Sequence, residues 1–597
     1  MKRSVLGLVV AVAILGGLTL FLCCKPKADS GGGKNMTSEN VLWRNELFDF
    51  AMDELLNRMD DFHSAERQQT TLNRLDQWVR MQKPLEDWKP DPLIAGVTEE
   101  LRSGAEQTVK LAERIGRLQQ GGDAGPLDTL PGEFRSAGEH LIVAGSRLAL
   151  TDVRQAASQM ITTADQLDEM LAKNAATADQ GAEALRAAFS QFNVSEFGAR
   201  GDKYLALADR IDPSILAFPG MDSVVFQEAV WLSNIATWGS GTELDDPVKP
   251  AAALFDWVVK NVDLTRERQV EGPNSPVRIL QSPVETLLFG KGTGIDRAWL
   301  FVLLARQMNI DAALLALPGE DNSIARLWGV GVLIEGEIYL FEPVLGVPVP
   351  KLGSLKLTDK GLTCKPATLA EAAADDAVLR QLDVLQEGDY TVEAKDMQGV
   401  MALVEASPAY LSQRMKMVER RLAGDEKIVL TTDASAQLAR FVQCPNVVGG
   451  QMWSLPYQTL WQAIRLGRER AQWLSVKFKP FIFPPQMPLL WKARSYHFKG
   501  QFTGDPSATS FYQKARLSDF ALDSAQLDEQ DRQQWKEIKV DASYWLGLLV
   551  AQTGNDRAAK DYFKNRVLKD DPGGKWEFGA AYNLARVLEA TGDIPKA

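Results

Sequence analysis

A block of strand signals, set in a chain where helical periodicity prevails, does most to constrain the fold. Ile310 to Leu317 is a short apolar run stopped by Pro318-Gly319. Trp328 to Ile334 and Glu337 to Phe341 then flank Glu335-Gly336, the pattern of a β-hairpin. Before the block, Leu254, Trp257 and Val258 mark a helix from Ala251 to Val262; after it, Thr368 with Glu371 forms a capping-box pattern opening a helix from Leu369 to Leu382. A small α+β unit follows from this order. A chain of 597 residues is too long for a single core, so three or four units are expected, this one near the middle.

From residue 40 to 200 apolar residues recur at helical spacing, as in Val97, Leu101, Ala105, Ala112, Ile115 and Leu118. Breakers at Lys89-Pro90-Asp91-Pro92 and across residues 121–126 supply short connections, so a helical bundle is predicted. The alanine pairs 156–157, 175–176 and 187–188 suit close helix crossings. Residues 201–250 read as a connecting segment, 356–480 as a mixed α/β extension and 481–490 as a Pro-rich linker.

The formal net charge of -12, with no basic stripe, excludes nucleic acid as the main partner, because phosphate binding needs a basic surface. Four cysteines, at 23, 24, 364 and 444, lack zinc spacing, and no cofactor is expected. Cys364 and Cys444 either pair, if the protein is exported, or stay free. Met1-Lys2-Arg3 precedes an apolar run from Val5 through Cys24, long enough to cross a bilayer. Residues 1–27 are therefore expected to be a signal anchor or transmembrane segment that attaches the chain to a membrane, with the body extracytoplasmic. A lipoprotein reading is weaker, since Phe21 and Leu22 fit poorly before Cys23. Residues 28–39 form a flexible linker whose Ser30-Gly31-Gly32-Gly33-Lys34 lacks the context of a phosphate loop.

The stretch from Leu287 to Ala312, with its Gly-Lys-Gly-Thr-Gly turn before an apolar helix, Asn309-Ile310 at the next turn and the hairpin beyond, resembles the core of the transglutaminase-like superfamily with its papain fold. The resemblance covers 251–355. In that family a cysteine opens the buried helix, and a histidine strand and an aspartate strand follow. Aligned this way, Gly294 stands at the nucleophile, Leu327 or Trp328 at the histidine, and Glu342 at the acid that orients it. No cysteine or histidine lies between Ala251 and Pro350, so the resemblance implies a noncatalytic member. Asp296 reads as a helix cap, or as half of a carboxylate pair with Glu342. Cys444 with His497 is the other conceivable rescue. Trp328 is a candidate lining for a cleft that binds a peptide or a peptidoglycan stem.

Residues 491–597 carry a repeat. Leu546-Gly547, Gly554, Ala559 and Phe563 are spaced as in the tetratricopeptide repeat (TPR), and Leu584-Ala585, Gly592 and Ala597 recur 38 residues later. Ala508, Tyr512 and Ala515 match an earlier second helix. The resemblance implies stacked α-hairpins that bind proteins or peptides, with Tyr544, Trp545, Tyr582 and Asn583 as candidate contacts. The repeat stops midway at Ala597, as if truncated. The expected whole is multidomain and mainly α: a helical bundle, a central α+β transglutaminase-like domain and C-terminal TPR-like α-hairpins. Its expected role is that of an envelope-anchored interaction scaffold. The alternative is a transglutaminase-like hydrolase or transferase with a non-standard active site.

Overall fold

The computed structural model describes residues 38–593 apart from 174–177, 244, 267–268, 272–275, 320–323, 359–360, 385–387 and 526. It is mainly helical around one mixed six-stranded sheet. The expectation of a transmembrane or signal-anchor helix is corrected: among the described residues no helix is long and apolar enough to cross a membrane. Residues 1–37, from which that expectation was drawn, lie outside the described residues.

The chain opens with α1 (Ser38–Leu56) and α2 (Ala65–Arg80), then α3 (Val97–Gln119), α4 (Leu130–Arg147), α5 (Thr151–Lys173), α6 (Ala178–Phe189) and α7 (Val194–Ile211). Helix α3 packs between α4 and α7, with α5 on the far side of α4. Glycines, rather than the alanine pairs, let these helices approach. A Cβ on Gly104 would lie 2.7 Å from Leu141 Cγ, and one on Gly138 would lie 2.7 Å from Ile161 Cγ1. Of the alanines expected at crossings, Ala157 is buried, whereas Ala187 and Ala188 face solvent; 175–176 lie outside the described residues. The stretch 201–250, expected as a connector, holds α8 (Asp222–Gly239), which is buried along most of its length.

Next come α9 (Val248–Asn261), β1 (Asp263–Leu264), β2 (Gln269–Glu271), β3 (Pro276–Arg278), α10 (Pro283–Phe289), β4 (Lys291–Gly292) and α11 (Gly294–Gln307). The strand block follows as β5 (Asp311–Pro318), β6 (Ile324–Ile334), β7 (Glu337–Glu342) and β8 (Val347–Pro348); then come β9 (Lys356–Thr358), β10 (Gly361–Thr363), β11 (Val400–Val404) and β12 (Val447–Met452). The order is β12-β11-β5-β6-β7-β8, antiparallel except for the parallel β11–β12 pair. Glu335 and Gly336 both take positive φ, 52° and 84°, as a tight hairpin turn requires. At the end of α11 Asn309 takes the left-handed conformation, φ 55°. The helix expected from Leu369 to Leu382 is two pieces, α12 (Leu369–Ala374) and α13 (Ala377–Arg380). Asp375 is extended and its carboxylate accepts the Ala377 N–H at 3.0 Å, which restarts the helix.

Alternate residues of the sheet enter two cores. Leu314, Val330, Val332, Phe341 and Leu403 join a first core with α1, α2, α8–α11 and the C-terminal helices; Leu315, Ile338, Leu340, Ala402 and Val404 join a second with the bundle. Beyond β11 lie further helices, α14 (Gln413–Glu419) and α15 (Ala434–Val442) preceding β12, α16 (Leu455–Arg465) and α17 (Gly467–Phe478) following it. The Pro-rich stretch 481–490, expected as a linker, is packed at both ends: the Phe481 ring lies 5.7 Å from the Trp545 ring and Leu490 is fully buried. The chain finishes with α18 (Leu489–Phe498), α19 (Ala508–Ala515), α20 (Asp519–Ser524), α21 (Glu529–Gln552), α22 (Asp556–Asp561), a π-helical turn over Tyr562–Leu568, and α23 (Glu577–Ala590). A Cβ on Gly547 would lie 2.7 Å from the Phe563 ring, so the glycine in α21 is what lets that aromatic side chain close the hairpin.

Candidate functional site

The two-residue parallel ladder β1–β4 sets the end of α9 beside the start of α11. Thr293 then caps α11: its hydroxyl accepts the Asp296 N–H at 3.3 Å, and the Asp296 carboxylate accepts the Thr293 N–H at 2.7 Å. Asp296 therefore has the structural role of a cap. The residue after Thr293, Gly294, occupies the position where the resemblance puts a nucleophile. A Cβ there would stand 2.5 Å from Val344 Cγ2, so Val344 closes the first turn of the helix.

Glu342 shapes the turn that delivers Val344. Its two oxygens accept the N–H groups of Val344 at 3.1 Å and of Leu345 at 2.5 Å. Burial pushes its pKa up, while those N–H groups, Arg297 and Arg326 work in the opposite direction. Asp296 and Glu342 are thus each engaged by their own turn, as two caps rather than as an acid and base sharing a proton. Beside the cap, the space bounded by Thr293, Ile295, Asp296 and Leu280 is about 10 Å³, the limit for a single water molecule.

Arg297 locks this arrangement and was not singled out in the sequence. Its buried guanidinium donates to Val262 O at 2.9 and 2.7 Å and to Pro343 O at 3.2 Å, joining the carbonyl end of α9 to the turn after β7. Burial lowers its pKa, and the helix end it faces favours the cation. The available signal was a charged residue in the first turn of a helix otherwise apolar on several sides.

Leu327 and Trp328 part company. Leu315 pairs with Gly329 and Ala316 with Leu327, so Trp328 is the extra residue of a β-bulge. Leu327 packs on the first core and Trp328 in the second. Trp328 does not line an open cleft; it is buried, and its indole N–H donates to the Tyr390 hydroxyl at 2.7 Å. Nor does the fold unite the distant pair. Cys444 sits in the second core, its Sγ 3.4 Å from Arg440 O, while His497 is fully buried between the Tyr512 hydroxyl at 3.2 Å and Gln552 Oε1 at 2.7 Å, among helices of the first core. Burial holds the His497 pKa down at about 3 and pushes the Cys364 and Cys444 thiols up; both cysteines are free. Among the described residues no group of three or more His, Cys, Asp or Glu is placed to hold a metal.

The C-terminal candidates face inward. Tyr544 stacks on Trp576 with centroids 4.1 Å apart, and Trp545 packs between Phe481, Tyr512 and Trp576. Asn583 donates to Lys260 O at 3.1 Å and Tyr582 is half-buried. Gly290, left-handed at φ 61°, ends α10 close enough that a Cβ would meet Trp545 Nε1 at 3.3 Å. These side chains seal the hairpins against α9 and α10, so any partner must meet other residues.

Exposed apolar side chains instead follow the closed turn along the chain: Val344, Leu345, Val347, Leu352, Leu355, Leu357 and Leu362. Leu357 and Leu362 are cross-strand partners in the β9–β10 hairpin, 59% and 48% exposed. Compared with known proteins, the chain has no match to a family model, to a curated protein or to a solved structure.

Proposed function

We propose that this chain is a protein-interaction scaffold, combining a noncatalytic transglutaminase-like unit with TPR-like helical hairpins. The carrying observation is the pairing of a closed helix start with an apolar surface. Half-exposed Val344 lies over the place of a nucleophile at Gly294, and six further apolar residues from Leu345 to Leu362 are exposed. A run of this kind costs solubility unless a partner covers it. Thiol chemistry has no support here: Gly294 offers no nucleophile, Leu327 no base, and Glu342 is occupied by its own turn.

The test places a photo-crosslinking amino acid at Leu357 or Leu362 in producing cells, with Val476, an exposed valine on α17, as control. Discrete adducts at 357 and 362 but not at 476 are expected. Purified protein should show no amidase, peptidase or crosslinking turnover. Uniform absence of adducts, or turnover that survives replacement of Cys364 and Cys444 by serine, overturns the reading.

A further inference from the structure

The C-terminal ends of α1, α18 and α21 converge on a groove of about 860 Å³ that includes no residue of α11 and is lined mainly by neutral polar groups. Its volume is that of a site for a ligand of a few rings. The wall is built rather than loose. Gly500 has φ 72° and passes so close to Trp238 that a Cβ would lie 2.8 Å from Cδ1; the Phe502 and Trp238 rings then meet in a T-shaped pair, centroids 5.1 Å apart at 88°. The Gln501 N–H donates to Tyr496 O, and the Ala508 N–H donates to Gln501 O, both at 3.0 Å. The Lys499 amine crosses to Asn57 O at 2.9 Å and ties the loop to the end of α1.

With the backbone so engaged, the side chains left for a ligand are distinctive. The amides of Asn234 and Gln501 and the hydroxyl of Thr503 make no hydrogen bond within the described residues. Amides supply both donors and acceptors, and hydroxyls do the same. Beside them Tyr496 and Phe502 present partly exposed rings. Lys499 is the one charged side chain of the lining, and its amine is already engaged. Neutral donor–acceptor groups beside half-buried aromatic side chains match a ligand with many hydroxyls and apolar ring faces. We propose that this groove binds a neutral oligosaccharide of two or three residues, through Asn234, Gln501 and Thr503 against the rings of Tyr496 and Phe502.

The experiment is calorimetric titration of the full chain with maltotriose, cellotriose and N,N′,N″-triacetylchitotriose. At least one should bind with Kd below about 1 mM, and Asn234→Ala with Gln501→Ala should weaken it about tenfold or more, a loss of about 1.4 kcal/mol. Phe520→Ala, at a residue 82% exposed on α20, should leave binding unchanged. Circular dichroism checks that the double variant is folded. No binding of any of the three sugars at about 10 mM, well above the expected Kd, or binding that the folded double variant retains, overturns the proposal.

Discussion

The two ends of α11 solve opposite problems. Its N-terminus, where a transglutaminase-like site is expected, is closed by the methyls of Val344 and by two carboxylates acting as local caps. Its C-terminus, where no site is expected, holds a buried ionic cluster. Arg306 reaches Glu405 O at 2.7 Å and the Glu405 carboxylate at 2.5 Å, and the guanidinium lies 4.8 Å from the Tyr410 ring. Glu228 joins them from α8; burial first, then the Glu405 charge, pushes its pKa up to about 8. Perturbed carboxylates are a common mark of active sites. Here the perturbed carboxylate is buried on α8, and burial is the first cause of its shift, so its titration should register in stability.

The largest expected effect breaks the C-terminal end. Arg306→Met leaves Glu405 buried without its cation and should cost about 3–5 kcal/mol in urea unfolding. Adding Glu405→Met should recover most of that, because two packed apolar side chains need no counter-charge. A double variant as unstable as the single one would mean that the backbone bond from Arg306 to Glu405 O, not the charge pair, matters.

A second test uses pH. Glu228 titrates at an ordinary 4.5 when unfolded and at about 8 when folded, so the unfolded chain releases its proton first and stability falls as pH rises from 4.5 to 8, by about 4 kcal/mol. His497 acts in reverse. Its folded pKa of about 3 lies below the ordinary 6.5, so stability falls as pH drops below 6.5, by about 2 kcal/mol at pH 5. The two slopes oppose each other between pH 5 and 7 and partly cancel in the wild-type profile. Glu228→Gln should tilt it, raising stability with pH by about 2 kcal/mol from 5 to 7. An untilted profile removes Glu228 from the comparison.

The smallest effect sharpens the N-terminal end. Gly294→Cys should not create an enzyme and should cost about 1–3 kcal/mol in thermal unfolding, since its side chain meets Val344. Val344→Gly in the same chain should recover much of the loss and make the introduced thiol reactive toward a disulfide reagent. If that thiol reacts without the second substitution, Val344 closes the helix start more loosely than the geometry implies.

Much of the fold was legible because its signals are local. Helical period, the Glu335-Gly336 turn and the Thr368–Glu371 capping box act within a few residues of themselves, and each is where the pattern put it, whereas the Thr293 half of the cap on Asp296 was not singled out. The candidate site was less legible. That Trp328 turns away from Leu327 depends on a bulge against β5, which no spacing within β6 announces. Tyr544, Trp545 and Asn583 have the composition of a binding face, yet they are buried because α9 and α10 cover them. Arg297 and Glu342 were visible as charges, but their carbonyl and N–H partners lie on other elements or in the following turn.

What the sequence determined by itself is that no cysteine or histidine stands between Ala251 and Pro350, and no packing can supply one there. It also determined the mainly helical character, since backbone hydrogen bonding within a helix is settled over one or two turns. Only the tertiary structure decided that Val344 would lie against Gly294, that the C-terminal aromatics would face inward, and that α11 would end on buried charge. Those outcomes depend on surfaces brought together from residues tens to hundreds of positions apart, whose burial free energy is a property of the assembled core and not of any one segment.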